Sequence, residues 1–162
     1  MSRLESFIRR LDAQRRCLDW AAAEIAARPG AALELGLGNG RTYDHLRERL
    51  GSGRDIYAFD RQLAAHPDCV PVADRLVLGE LRVTLPAFAA RGIAVALVHA
   101  DLGSGDREAT AALAAWLGPW LGEIAAPGAL VLSDQRLTER RLLQLDPPAS
   151  VPEGRYFAYR RA

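Results

Sequence analysis

The 162-residue chain contains no lysine, so all 21 of its basic residues are arginines. That absence excludes a phosphate-loop lysine, a Schiff-base lysine and a lysine general base. Cysteine is nearly as scarce. Cys17 and Cys69 lie far apart, with no Cys-x-x-Cys or Cys/His ligand spacing around them, which argues against a disulfide framework or a zinc site and for buried free thiols. No charge surplus exists either: 21 basic residues face 20 acidic ones. Without a net field or a strong basic patch, no nucleic-acid partner is expected. No apolar run approaches the roughly 20 residues a membrane span needs, and the N-terminus is charged where a secretory signal would be apolar. The expectation is a cytoplasmic protein with no membrane partner. At this length one domain, 1–162, with a single sizeable core is the natural reading.

What the chain does contain is organised around Ala31 to Asp44, where a short apolar run meets Gly36, Gly38 and Gly40 and then turns polar. Alternate residues without a Cβ let the backbone bend sharply and let a ligand approach its peptide groups. Arg41 to Leu50 reads as a helix whose first amides are unpaired donors beside that loop.

Before it, Ser2-Arg3-Leu4-Glu5 fits a capping box. Leu4, Phe7, Ile8, Leu11, Leu18, Ala22 and Ile25 recur at helical spacing as the packing face of a helix over residues 1–28. Trp20 and the arginine pairs on it read as packing and solvated face. After the glycines, Ile56 to Phe59 forms a second strand closing on Asp60. Leu76 to Gly79 forms a third, followed by Glu80 and a helix to Arg91. The most apolar strand, Ile93 to Val98, ends in His99-Ala100-Asp101, and a loop over Leu102 to Asp106 leads into a helix reaching about Ala125. Its Trp116 and Trp120 keep core or interface spacing, and Gly118-Pro119 predicts a kink. Ala129 to Leu132 is a buried strand closing on Ser133-Asp134-Gln135. Arg136 to Leu145 reads as a short helix, and Arg155 to Arg161 as a final strand.

Four or five strands alternating with helices describe an α/β, doubly wound, mostly parallel sheet. Asp60, Glu80, Asp101 and Asp134 fall at successive strand ends, where an open parallel sheet gathers its ligand. A dinucleotide loop wants Gly-x-Gly-x-x-Gly, whereas this chain has Glu34-Leu35-Gly36-Leu37-Gly38-Asn39-Gly40-Arg41. That stretch resembles the first motif of class I S-adenosylmethionine-dependent methyltransferases, Glu/Asp-x-Gly-x-Gly-x-Gly, and is most similar to small bacterial members whose motif continues into Gly-Arg-Thr.

The resemblance implies a Rossmann-like methyltransferase fold and S-adenosylmethionine as cofactor. Carried over by position, Gly36, Gly38 and Gly40 cradle the methionine part and Asp60 binds the ribose hydroxyls. Glu80 sits near the adenine and Asp101 faces the sulfonium or amino end, with Glu34 and Arg61 completing the cofactor set. The family usually carries two antiparallel strands after strand five. This chain reads as long enough for one, an abbreviated edge that a partner subunit in a homo-oligomer would complete.

Methyl transfer to a small-molecule acceptor needs alignment and at most one base, for which His99, Asp101 and Asp134 are the candidates. Metal-dependent O-methyltransferases carry Asp-Ala-Asp and Asp-Asn where this chain has His99-Ala100-Asp101 and Asp134-Gln135. Both departures weigh against a divalent metal, and no metal ligands are assigned. Two rival readings remain: a protein that binds the cofactor without catalysing transfer, and an NAD(P)-dependent oxidoreductase, disfavoured by Arg41 and by the lack of space for a substrate domain.

Overall fold

The computed structural model describes residues 1–162. The Ser2 capping box forms as the sequence specifies: the Ser2 hydroxyl accepts from Glu5 N–H at 3.1 Å and the Glu5 carboxylate accepts from Ser2 N–H at 2.7 Å. It starts α1, Arg3–Glu24. The strands β1 (Ala31–Leu35), β2 (Ile56–Asp60), β3 (Leu76–Leu78), β4 (Val95–Ala100) and β5 (Ala125–Ser133) are parallel; α2 (Arg41–Leu50) joins β1 to β2, α3 (Leu81–Ala89) joins β3 to β4 and α4 (Arg107–Ile124) joins β4 to β5, while two short 3-10 turns, Pro67–Cys69 and Ala73–Arg75, lead from β2 to β3. Two more strands, β6 (Leu142–Leu145) and β7 (Phe157–Arg161), close one edge antiparallel, giving the order β3-β2-β1-β4-β5-β7-β6.

The sheet is covered on both faces. Leu33, Leu35, Phe59 and Val98 point toward α3 and α4, meeting Leu85, Phe88, Leu117 and Leu121. On the opposite face Ala32, Ala58, Leu97 and Leu130 meet Cys17, Leu18 and Ile25 of the N-terminal segment and Leu46 of α2. Each such fully buried leucine or isoleucine contributes about 1.5–3 kcal/mol. Trp116 and Trp120 pack at the margin of the first cluster.

Three expectations are corrected. Arg136 to Leu145 is not helical: it is an irregular stretch leading into β6. The C-terminal region is therefore not abbreviated to one strand. β6 and β7 pair from Leu142↔Arg161 to Leu145↔Ala158, so the chain closes its own sheet edge and removes the ground for expecting a partner subunit there. The packing face of α1 holds at Leu18, Ala22 and Ile25 but fails over its first turns. Leu4, Phe7 and Ile8 are 67%, 45% and 55% exposed, and the buried stripe runs through Ala13, Gln14, Cys17, Leu18 and Ala21. Helical spacing over the first turns of α1 therefore marks no core contact.

Candidate functional site

The parallel strands all deliver their carboxyl ends to one edge, and the order reverses between β1 and β4, the switch point where such sheets open a crevice. Backbone bonds continue the ladder past the strand ends and fix the residues just beyond them. Gly36 and Leu37 N–H donate to Phe59 O at 2.9 and 3.0 Å, Asp101 N–H to Leu35 O at 3.3 Å and Asp134 N–H to Ala100 O at 3.1 Å.

Gly36, Gly38 and Gly40 all have positive φ. Gly40, at φ +86°, is the residue that caps α2, and a Cβ there would lie 2.5 Å from Cys69 Cβ. An alanine would need both an unfavourable left-handed backbone and a displaced 65–69 loop. Asp60 holds the other side of the turn, accepting from Gly38 N–H at 2.8 Å and Arg61 N–H at 2.7 Å.

Between these elements lies a cavity of about 490 Å³, lined among others by Gly36, Gly38, Asp60, Arg61, Glu80 and Asp101, a size that suits a small-molecule ligand. Two features fit it to a nucleoside-bearing cofactor. At Gly38 a Cβ would meet no protein atom within 4 Å, leaving bare backbone facing the space. Glu80 stands at the N-terminus of α3, yet its side chain makes no capping bond, so its exposed carboxylate is free to accept from a ligand.

Asp101 borders this cavity and a second one of about 300 Å³ beyond it. It accepts from Gln14 Nε2 at 2.8 Å, and Arg10 lies 3.8 Å away. Asp134 lines the second cavity and holds the partition between the two. It accepts from Leu102 N–H at 3.2 Å, Gly103 N–H at 2.9 Å and Gln135 Nε2 at 3.0 Å. A Cβ on Gly103 would collide with the Asp134 carboxylate, so glycine is what allows the close approach. Burial pushes the Asp134 carboxyl above its usual range, and Asp101 adds to the rise, while the three donors oppose it.

Glu34 and His99 occupy neither cavity. They are register partners on β1 and β4, and both are fully buried. His99 Nδ1 lies 2.7 Å from Glu34 Oε2, and its Nε2 meets the Tyr156 hydroxyl. Thr42 of α2 donates to the other oxygen of Glu34. Burial disfavours charge on His99, but the Glu34 carboxylate outweighs it and the imidazole pKa is raised. Burial also pushes the Tyr156 phenol well above its ordinary value. With both ring nitrogens engaged and no exposed atom, His99 offers no lone pair to an acceptor proton or to a metal ion. It is part of the floor. No group of three or more His, Cys, Asp or Glu side chains forms a metal cluster.

Sequence reasoning missed Gln14, Arg10, Arg155 and Tyr156. Gln14 carries a signal, a lone amide among apolar residues on the buried stripe of α1, whereas Arg10 reads locally as solvated face. Arg155 and Tyr156 fall in the stretch read as a final strand, but their place beside Asp101 depends on β7 pairing with β5, which no local pattern announces.

A family model described as S-adenosyl-L-methionine methyltransferase matches residues 1–161. A crystal structure of an S-adenosyl-L-methionine methyl transferase from Silicibacter pomeroyi DSS-3 is 45% identical, covering 100% of this chain and 99% of that one with a TM-score of 0.94. A methyltransferase from Geobacter sulfurreducens, 13% identical, covers 89% of this chain and 77% of its own with a TM-score of 0.51. The 1,6-didemethyltoxoflavin-N1-methyltransferase of Burkholderia thailandensis, solved with 1,6-didemethyltoxoflavin and S-adenosylhomocysteine, is 15% identical. It covers 93% of this chain and 78% of its own, with a TM-score of 0.51. These two distant likenesses concern the fold. No match was found among curated proteins. The chain belongs to the S-adenosyl-L-methionine methyltransferase family.

Proposed function

We propose that the larger cavity holds S-adenosylmethionine and that a small-molecule acceptor approaches it from the smaller cavity, across the strip from Asp101 to Ser104. The observation that carries this reading is the shared wall: Asp101, Gly103 and Ser104 border both spaces. When bound, the cofactor supplies a methyl group activated by sulfonium charge. The residues of the chain supply position. Asp60 receives the ribose hydroxyls, Glu80 the adenine edge and the bare backbone at Gly38 the methionine part, with Arg61 at the rim. Asp101, which borders both cavities, orients the cofactor's amino end or takes the acceptor's proton. Asp134 holds the partition in place. Glu34 and His99 act as positioning residues beneath it, since they reach the ligands only through other groups. Transfer of this kind rests mainly on alignment of two ligands.

Titration calorimetry with S-adenosylhomocysteine tests the cofactor half. Asp60→Ala should weaken binding by about tenfold or more, the loss of two charged hydrogen bonds to a diol. Unchanged affinity would remove Asp60 from the site, and no binding to the native protein would sink the assignment of the cavity. No helix is long and apolar enough to cross a membrane.

A further inference from the structure

The smaller cavity differs in character from its neighbour: Tyr156 apart, the walls are polar side chains and glycines. Two of those side chains are guanidiniums brought from opposite ends of the chain. Arg10 projects from α1, with its side chain 49% exposed and Asp101 at 3.8 Å. Arg155 sits in the turn before β7, where its N–H donates to Pro152 O at 3.2 Å. It is half-buried, lines the cavity and has no carboxylate partner. Elsewhere partly covered arginines have partners, carboxylates for Arg75, Arg141 and Arg160 and backbone carbonyls for Arg54 and Arg161. A partly desolvated cation left unanswered beside an open polar space favours a complementary anion there. The planar guanidinium fork matches a carboxylate or phosphate.

We infer that the smaller cavity takes acceptors bearing an anionic group, carboxylate or phosphate, held by Arg155 with Arg10, so that the acceptor's N–H or O–H end faces Asp101 and Asp134. The two carboxylates explain the polarity. They repel the anionic end and accept from the other, so a bifunctional acceptor enters in one orientation. A neutral acceptor would leave Arg155 unanswered, and a cationic one would be repelled by it. This inference rests on reading the larger cavity as the cofactor site.

The test uses the full chain saturated with S-adenosylhomocysteine. Acetate, inorganic phosphate and, at equal ionic strength, chloride are titrated while the Nε–H resonances of Arg10 and Arg155 are followed, assigned through Arg10→Gln and Arg155→Gln. A saturable shift with acetate, phosphate or both, absent with chloride, is expected. Arg155→Gln should weaken that response by about tenfold while S-adenosylhomocysteine affinity changes by less than about twofold. A response to acetate alone assigns a carboxylate acceptor, and one to phosphate alone a phosphorylated acceptor. No saturable response beyond chloride, or a response that survives Arg155→Gln, overturns the inference. Failure of S-adenosylhomocysteine to bind would instead overturn the cofactor assignment, and the same anion titration on the free protein would still decide the fate of this one.

Discussion

Glu34 and His99 face each other across adjacent parallel strands with 2.7 Å between Oε2 and Nδ1 and no solvent on either side. A carboxylate that sequence alone assigns to the cofactor is instead spent on an imidazole, and the imidazole is thereby withdrawn from general-base work. The pair is costly to bury and costlier to break, because removing one member strands the other in a low-dielectric interior.

Glu34→Ala and His99→Ala should each destabilise the fold by about 3–5 kcal/mol. Urea denaturation would measure it. A cost below about 1 kcal/mol, the scale of an exposed pair, would show that the interaction is not the buried one described.

The raised pKa of His99 sets a direction for pH dependence. Folding makes the imidazole hold its proton more tightly than it does in the unfolded chain, so the stabilisation is fully present below the ordinary histidine value of about 6.5. It is lost as pH rises through the folded-state value. Unfolding midpoints should therefore fall over that rise, and Glu34→Gln, which removes the charge partner, should flatten the slope. A His99 ring resonance that titrates below the ordinary value would contradict the raised direction.

Gly103→Ala places a methyl on the Asp134 carboxylate and within 2.9 Å of Gln135 Nε2. The amides of residues 102 and 103 must then move off their acceptor, at about 1 kcal/mol or somewhat more for a half-buried carboxylate losing its donors. The partition between the cavities is what shifts, so turnover should drop more than S-adenosylhomocysteine affinity. Equal losses in both would mean that the loop serves the cofactor alone.

Gly40→Ala combines backbone strain of about 1–2 kcal/mol with the collision at Cys69. The 65–69 loop should loosen, read as faster amide exchange at Cys69, whose N–H donates to His66 O at 2.8 Å. Unchanged exchange would show that the loop does not lean on the glycine turn.

Much of this architecture is legible in the chain. Asp60 closes one strand and Glu80, Asp101 and Asp134 follow others, and parallel topology alone sends four such residues to one edge. The glycine spacing chooses the cofactor class. The orientation of Glu34 is not legible from the motif, yet the pleat contains it: Leu33 and Leu35 face α3 and α4, so Glu34 must face the other layer. His99 obeys the same rule between Val98 and Ala100. β6 is hidden because Leu142–Leu145 is short and partly exposed, and Arg-Arg-Leu-Leu-Gln-Leu suits a helix equally well. Its conformation comes from pairing with β7, a contact that no window of the sequence contains.

Thr42, Glu34, His99 and Tyr156 are joined in series by hydrogen bonds, and Gln14 and Asp101 are bonded beside them. The first belongs to the helix that the glycine turn launches, and the last to the wall between the two cavities. A line of side chains thus runs from the glycine turn to the wall between the two cavities, and its inner members Thr42, Glu34 and His99 line neither space. Errors along it misalign the reactants without emptying a site, so damage at Thr42 belongs in kcat before it is seen in KM.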